Sequence, residues 1–294
     1  MIELPLPERV ERQLIKTPGR TALTLRGRPD PDRDNGVDVV MVSGFFGTKE
    51  DYRELLSLLA EAGFRGWAYD YSGQLGLHQG EVGYTISEMA DDLVAVANSV
   101  SSGQPAHVIG HCLGGFVARS AVLLQPAIAR SLTLVGCGPS MRERKHQAML
   151  SGLAQIHANG GTIALWPLVK TLLAKDDTIM REFWHAKLAT MNPQWVTGAA
   201  ESMADEPDRS AELIAAGIPS LVVHGKRDRR LWSVDEYAEM ASRLSAGHVI
   251  IEKASHSPNM EQPGSLAAVL VDFWADTTTA ATTTGEGELV TGAR

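Results

Sequence analysis

HVIGHCLGGFVAR, residues 107–119, decides how the rest of the chain is read. The apolar run ends at Gly110, a helical pattern begins at Leu113, and Cys112 lies between them in Gly-x-Cys-x-Gly. A strand that passes into a helix through so sharp a turn crowds the backbone, so glycine is needed on either side and the central side chain is lifted clear. That side chain also sits at a helix N-terminus, whose unpaired N–H groups and dipole favour a thiolate. An arbitrary cysteine is a small buried apolar residue. In this frame Cys112 reads as a nucleophile.

Outward from this turn, strands and helices alternate. Upstream, VDVVMVSG (37–44) is a near-continuous apolar run, as expected of a buried parallel strand. The helix TKEDYRELLSLLAEAG follows, with Thr48 and Asp51 at capping-box spacing and Tyr52, Leu55, Leu56 and Leu59 on one face. FRGWAYDY is the next strand, and TISEMADDLVAVANSV a second helix capped by Thr85 and Glu88. Before these, residues 1–36 hold one strand, TALTLRG, and a Pro/Asp/Gly-rich turn. Downstream, SLTLVG is a strand, and alternation resumes near the C-terminus with SLVVHG, a helix over 234–244, HVIIEKA and a helix around 265–274. This order predicts an α/β architecture with a doubly wound, mostly parallel sheet.

The alternation is broken over 139–219, where several short segments rich in Met, Leu and Trp read as helices. An insertion of this kind is expected to cap the carboxyl edge of the sheet, where open α/β sheets bind ligands. The predicted organisation is a core over 1–138 and 220–276, a helical cap over 139–219 and a Thr/Ala/Gly-rich disordered tail over 277–294.

Composition narrows the function. The chain has 294 residues, 44% hydrophobic and 21% charged, with a formal net charge of -8. That acidity argues against nucleic acid, whose phosphates need a basic surface. No apolar run is long enough for a membrane span, and MIELPLPERVERQL mixes acids, bases and prolines where a secretory signal needs a basic start and an apolar centre. Two cysteines, Cys112 and Cys137, fit a reducing compartment, so the expectation is a cytoplasmic protein. Neither a metal-ligand cluster nor a cofactor motif emerges, and GQLGLHQG (73–80) lacks the spacing of a dinucleotide fingerprint.

A nucleophile needs a base, an acid to orient it and donors for an oxyanion. Among the nine histidines, His248 and His256 lie late enough in the chain. His248 begins its strand, whereas His256 follows one, in ASHSPNMEQP. For the acid, Asp228 in HGKRDRR lies just past a strand, and Asp235 is the alternative, in a helix's first turn, where the dipole already accounts for it. SGFFG after the strand at 37–44 offers the Phe45 N–H as one oxyanion donor and the Leu113 N–H, beside Cys112, as the other. Phe46, Trp166 and Trp184 are candidates for the substrate pocket, with Trp195 a further aromatic of the cap. The basic run RERKH (142–146) is either a solvated helix face or a docking point for an acidic group.

Taken in order, SGFFG, GHCLGG, HGKRD and ASHSPNMEQP resemble the α/β-hydrolase superfamily over about residues 20–275, with a helical cap. The resemblance implies a Cys112–His256–Asp228 triad with Phe45 and Leu113 as oxyanion donors. Two positions depart from the common pattern: Ser43 stands where many members have His, and Cys112 where most have Ser. A cysteine nucleophile resembles dienelactone hydrolases and polyhydroxyalkanoate synthases, while the remainder is more like the capped esterases. The expected activity is on an ester or thioester, through an acyl-enzyme resolved by water, with no cofactor. The substrate is a small acyl compound, free or carried on coenzyme A or a carrier protein. An acyltransferase or cyclase, including one of secondary metabolism, is the second reading and a non-catalytic receptor the third. An engineered Ser-to-Cys replacement at 112 is a separate explanation for the sulfur.

Overall fold

The computed structural model describes residues 3–18, 20–74 and 83–285, with side chains as far as 276. Eight strands form one sheet: β1 (Val10–Thr17), β2 (Arg20–Gly27), β3 (Asp38–Val42), β4 (Arg65–Tyr69), β5 (Ala106–His111), β6 (Ala129–Val135), β7 (Ser220–Gly225) and β8 (Gly247–Ile251). Their order is β1-β2-β4-β3-β5-β6-β7-β8. From β4 to β8 every pairing is parallel, whereas β1 and β2 form an antiparallel hairpin and β2 runs antiparallel to β4.

Helices cover both faces, which is why the central strands are buried along their whole length and rich in Val, Leu and Ile. One face packs on α1 (Arg53–Glu61) and α11 (Pro263–Gly285), through Leu55, Leu56, Leu59, Leu266, Leu270 and Trp274. The other packs on α2 (Ile86–Val100), α3 (Leu113–Leu124) and α9 (Val234–Leu244), through residues such as Leu93, Phe116 and Tyr237. The expected capping boxes are present: Thr85 with Glu88 opens α2, and Thr48 with Asp51 opens a 3-10 turn over Lys49–Tyr52 that leads into α1.

Between β6 and β7 the chain forms α4 (Arg144–Gly160), α5 (Trp166–Val169), α6 (Thr178–Thr190), α7 (Pro193–Ala204) and α8 (Ser210–Ala216). Their apolar residues, among them Leu153, Phe183, Trp195 and Met203, join the core cluster of the α2/α3 face. After β7 come α9 and, past β8, the short α10 (Pro258–Glu261).

Two expectations change. Residues 1–36 contain two strands, because β1, with its alternating half-buried pattern and Leu14 61% exposed, is an edge strand with little apolar signal. The final helix continues to Gly285, so 277–285 extend α11 where a disordered tail was expected. No glycine or proline interrupts the chain between Gly264 and Gly285, and extending an existing helix adds a hydrogen bond for each residue fixed. Residues 75–80 of GQLGLHQG and 286–294 of the tail lie outside the described residues. Among the described residues, no helix is long and apolar enough to cross a membrane.

Candidate active site

Cys112 is the residue between β5 and α3, and its backbone stands at φ 52°, ψ -115°. A non-glycine residue there carries strain of about 1–3 kcal/mol, which the surroundings must enforce. They do so by close backbone packing. A Cβ on Gly110 would lie 2.1 Å from the Gly114 carbonyl oxygen, and one on Gly114 would lie 2.3 Å from that of Val42. The Cys112 N–H is tied to the Val135 carbonyl of β6 (3.0 Å), and its own carbonyl accepts from the Gly115 N–H (2.9 Å). The turn is therefore fixed on both sides.

Asp228 and His256 arrive from the carboxyl ends of β7 and β8. Asp228 is 1% exposed, and its Oδ2 accepts from His256 Nδ1 (2.9 Å) and the Tyr237 hydroxyl (3.0 Å) while Oδ1 accepts from the Arg230 N–H (3.1 Å). Burial works against this carboxylate, but the hydrogen bond and charge of His256, with the Arg230 and Tyr237 donors, hold it below the usual carboxylate range. Burial likewise works against an imidazolium at His256. The charge of Cys112 and the hydrogen bond and charge of Asp228 outweigh it and push His256 up to about 10. His256 and Asp228 are thus joined directly, and Cys112 shares a cavity wall with His256.

Leu113 follows Cys112 in the chain, and Phe45 lines the same cavity as Cys112. Neither the Phe45 N–H nor the Leu113 N–H takes part in a hydrogen bond among the described residues. Gly44 packs there as well, since a Cβ on it would lie 3.2 Å from Cys112 Cβ.

Cys112 and His256 line a cavity of about 310 Å³ together with Gly44, Phe45 and Phe46. Its other walls are largely apolar and include Met149, Leu150, Leu153, Leu168, Trp184 and Met203 from the helical insertion. Phe46 and Trp184 are among the residues that line this cavity. Trp166 is not: it packs edge-on against His185 with Arg181 over its ring, away from the cavity wall, because the indole belongs to the insertion's own packing. Trp195 is also buried outside the cavity wall, stacked on Tyr71 and against Phe45. The RERKH run stays at the surface apart from buried His146, with Lys145 bridging Glu236 and Arg142 bonded to the Asp205 carbonyl.

The alternative residues lie elsewhere. His248 lies on β8 with its Nε2 3.1 Å from that of His224, and Asp235 lies in the first turn of α9. Cys137 is fully buried under Gly115, and burial pushes its thiol well above the usual range. Among the described residues, no group of His, Cys, Asp and Glu is placed to hold a metal ion.

A family model described as "Alpha/beta hydrolase family" matches residues 39–269. The chain belongs to the alpha/beta hydrolase family. RutD of Pantoea ananatis (strain LMG 20103), named as a carbamate hydrolase, is 25% identical over 247 residues, 80% of this chain and 87% of that protein. The pimeloyl-[acyl-carrier protein] methyl ester esterase of Aeromonas salmonicida (strain A449) is 29% identical over 182 residues, 58% of this chain and 70% of that protein. Among solved structures, a thermophilic esterase from Thermogutta terrifontis matches with a TM-score of 0.75 at 21% identity, over 91% of this chain and 99% of that one.

This alpha/beta hydrolase carries site residues that the sequence reading passed over. His111, one residue before Cys112, is buried, donates from Nε2 to the His256 carbonyl (2.9 Å) and has no partner for Nδ1 among the described residues. Burial, then the neighbouring charge of His256, pulls it down to about 3, so it stays a neutral wall beside a charged ring. Tyr237, on α9, is another, since nothing in the sequence marks its hydroxyl as a donor to Asp228.

Proposed function

We propose that this α/β-hydrolase-type enzyme cleaves esters or thioesters of apolar acyl groups through a covalent intermediate on Cys112. The observation that carries the reading is the strained turn that puts Cys112 on the wall of the same apolar cavity as His256, whose ring is bonded to Asp228. The names of RutD and the pimeloyl methyl ester esterase point to carbonyl substrates of the same kind.

In the proposed cycle the Cys112 proton already rests on His256 Nε2, and the thiolate of this ion pair attacks the substrate carbonyl carbon. The electron pair of the carbonyl π bond moves onto oxygen, where the Phe45 and Leu113 N–H groups stabilise it. As the carbonyl re-forms, the bond to the leaving alcohol or thiol breaks, and that group takes the proton from His256. Water then gives its proton to His256 and attacks the thioester, releasing acid and restoring Cys112. Asp228 stays ionised throughout, keeping the His256 Nδ1–H in place and stabilising the imidazolium. The insertion acts as a cap whose apolar side chains receive the acyl group and limit access of water.

The test is intact-mass analysis after mixing with p-nitrophenyl esters of graded chain length. A single acyl adduct on the wild type that is absent from Cys112→Ala supports the reading; no adduct, or one that persists in the variant, overturns it. Adding amine and alcohol acceptors to the same reaction distinguishes hydrolysis from acyl transfer by product.

A further inference from the structure

The segment that leaves β3, residues 42–47, has every main-chain carbonyl accepting a hydrogen bond, and the donors come from two different parts of the molecule. From the core, the Tyr52 hydroxyl donates to Val42 O (2.8 Å), the Tyr71 hydroxyl to Ser43 O (2.9 Å) and the Gly47 N–H to Gly44 O (2.9 Å). The remaining three carbonyls are held from the helical insertion. Trp195 Nε1 on α7 donates to Phe45 O (3.4 Å), and Lys187 Nζ on α6 donates to Phe46 O and to Gly47 O (2.8 Å). Among the described residues the Phe45 N–H makes no hydrogen bond.

Lys187 is an unusual donor. It is 1% exposed, and a lysine buried that deeply needs a strong reason to stay charged. Burial pulls it down to about 8, while the attraction of Asp51, Asp70 and Glu50 holds it up, so it remains an ammonium at neutral pH. Asp51 lies against the same turn, since a Cβ on Gly47 would be 2.6 Å from its Oδ2, and it fixes the turn's far end by accepting from the Thr48 N–H (3.0 Å). Lys49 is not available for this role, being committed to Asp70 (2.6 Å) and Glu50 (2.7 Å).

We propose that Lys187 is a positioning residue for oxyanion stabilisation: from the insertion it clamps the Phe46 and Gly47 carbonyls and so sets the orientation of the Phe45 N–H. The oxyanion hole is then complete only when α6 and α7 sit on the core, which couples closure of the insertion to catalysis. This rests on the reading of Cys112 as the nucleophile.

The test compares two reactions of the same sulfur. Acylation by p-nitrophenyl butyrate passes through an oxyanion, whereas alkylation by iodoacetamide is a direct displacement at carbon and develops none. Lys187→Met retains the aliphatic stem and removes the donor. The expected result is an acylation rate about 10- to 100-fold lower, the scale for a displaced oxyanion donor, with alkylation within about 3-fold of wild type. Trp195→Phe, which removes only the indole N–H, is expected to lower acylation by a smaller factor with the same spared alkylation, and serves if Lys187→Met does not fold. Equal loss of both reactions, or unchanged acylation, overturns the proposal. If the wild type is not acylated at Cys112, the nucleophile reading fails instead, and the clamp is judged by amide hydrogen exchange of residues 44–48. Faster exchange there in Lys187→Met upholds it, and unchanged exchange overturns it.

Discussion

Asp228→Asn isolates the role of the carboxylate with almost no change in shape. Oδ1 of Asp228 receives the Arg230 N–H and Oδ2 receives both the Tyr237 hydroxyl and His256 Nδ1. An asparagine has one acceptor oxygen and one NH₂, which can only donate. If its oxygen stays with Arg230, the NH₂ faces His256 Nδ1, and the ring must carry its proton on Nε2, where it can no longer take one from Cys112. If the amide flips, two donors meet at Arg230 and a buried N–H is left unpaired, at about 1–3 kcal/mol. Either way the imidazolium loses its counter-charge in a buried site. The expected loss in kcat/KM for ester hydrolysis is about 10³- to 10⁴-fold, the range for a triad held in the wrong tautomer. That range corresponds to about 4–5.5 kcal/mol of transition-state stabilisation. The assay is p-nitrophenyl ester turnover alongside thermal melting, which should show a folded protein. Activity within 10-fold of wild type in a folded variant would refute the assignment of Asp228 as the orienting acid.

Three further outcomes follow from the same geometry. Native protein should react rapidly with a thiol reagent at Cys112 alone, because Cys112 lines the cavity while Cys137 is fully buried, and denaturation should expose the second thiol; two equally fast thiols in the native state would contradict this. His256 is held at about 10 against an ordinary 6.5, so its protonation contributes stability that is fully present below about pH 6.5 and is lost as the pH rises through about 10. Melting temperature should therefore fall from pH 7 to pH 10 more steeply in wild type than in Cys112→Ala, which lacks the sulfur charge that holds the proton. Leu153→Trp, which fills part of the 310 Å³ cavity from the insertion side, should reduce kcat/KM for octanoyl esters by about 10-fold or more while sparing acetyl esters. Equal loss across chain lengths would place the acyl group elsewhere.

The architecture was readable wherever one physical constraint acted on many neighbouring residues. Full burial of β3, β5 and β7 forces near-continuous apolar runs, and a helix lying on the sheet forces a stripe, so these elements and the boundaries of α2, α3 and α9 follow from pattern. The hairpin strand β1 obeys neither constraint because it lies at the sheet edge, with Val10 its one buried residue and three of its eight residues exposed. Cys112, Asp228 and His256 were readable for a related reason: each follows a recognisable strand, so chain order alone carries them to one edge of the sheet.

Residues whose role depends on one long-range hydrogen bond leave no such trace. Trp166 and Trp184 are both tryptophans in short helices of the insertion, yet only Trp184 reaches the cavity, a distinction fixed by how α5 and α6 pack. Lys187 is the sharper case. In sequence it is a lysine in the last turn of α6, where a cation is already accounted for by the helix dipole and by solvent. The fold instead carries its ammonium 140 residues back along the chain to the Gly47 carbonyl. A buried charge is costly unless it is paired and hydrogen-bonded. Removing it from an ordinary core would cost stability alone; here the atoms it holds belong to the loop beside Cys112, so the cost should appear first in the reaction that needs an oxyanion. That separation distinguishes a lysine serving the site from one serving only the fold.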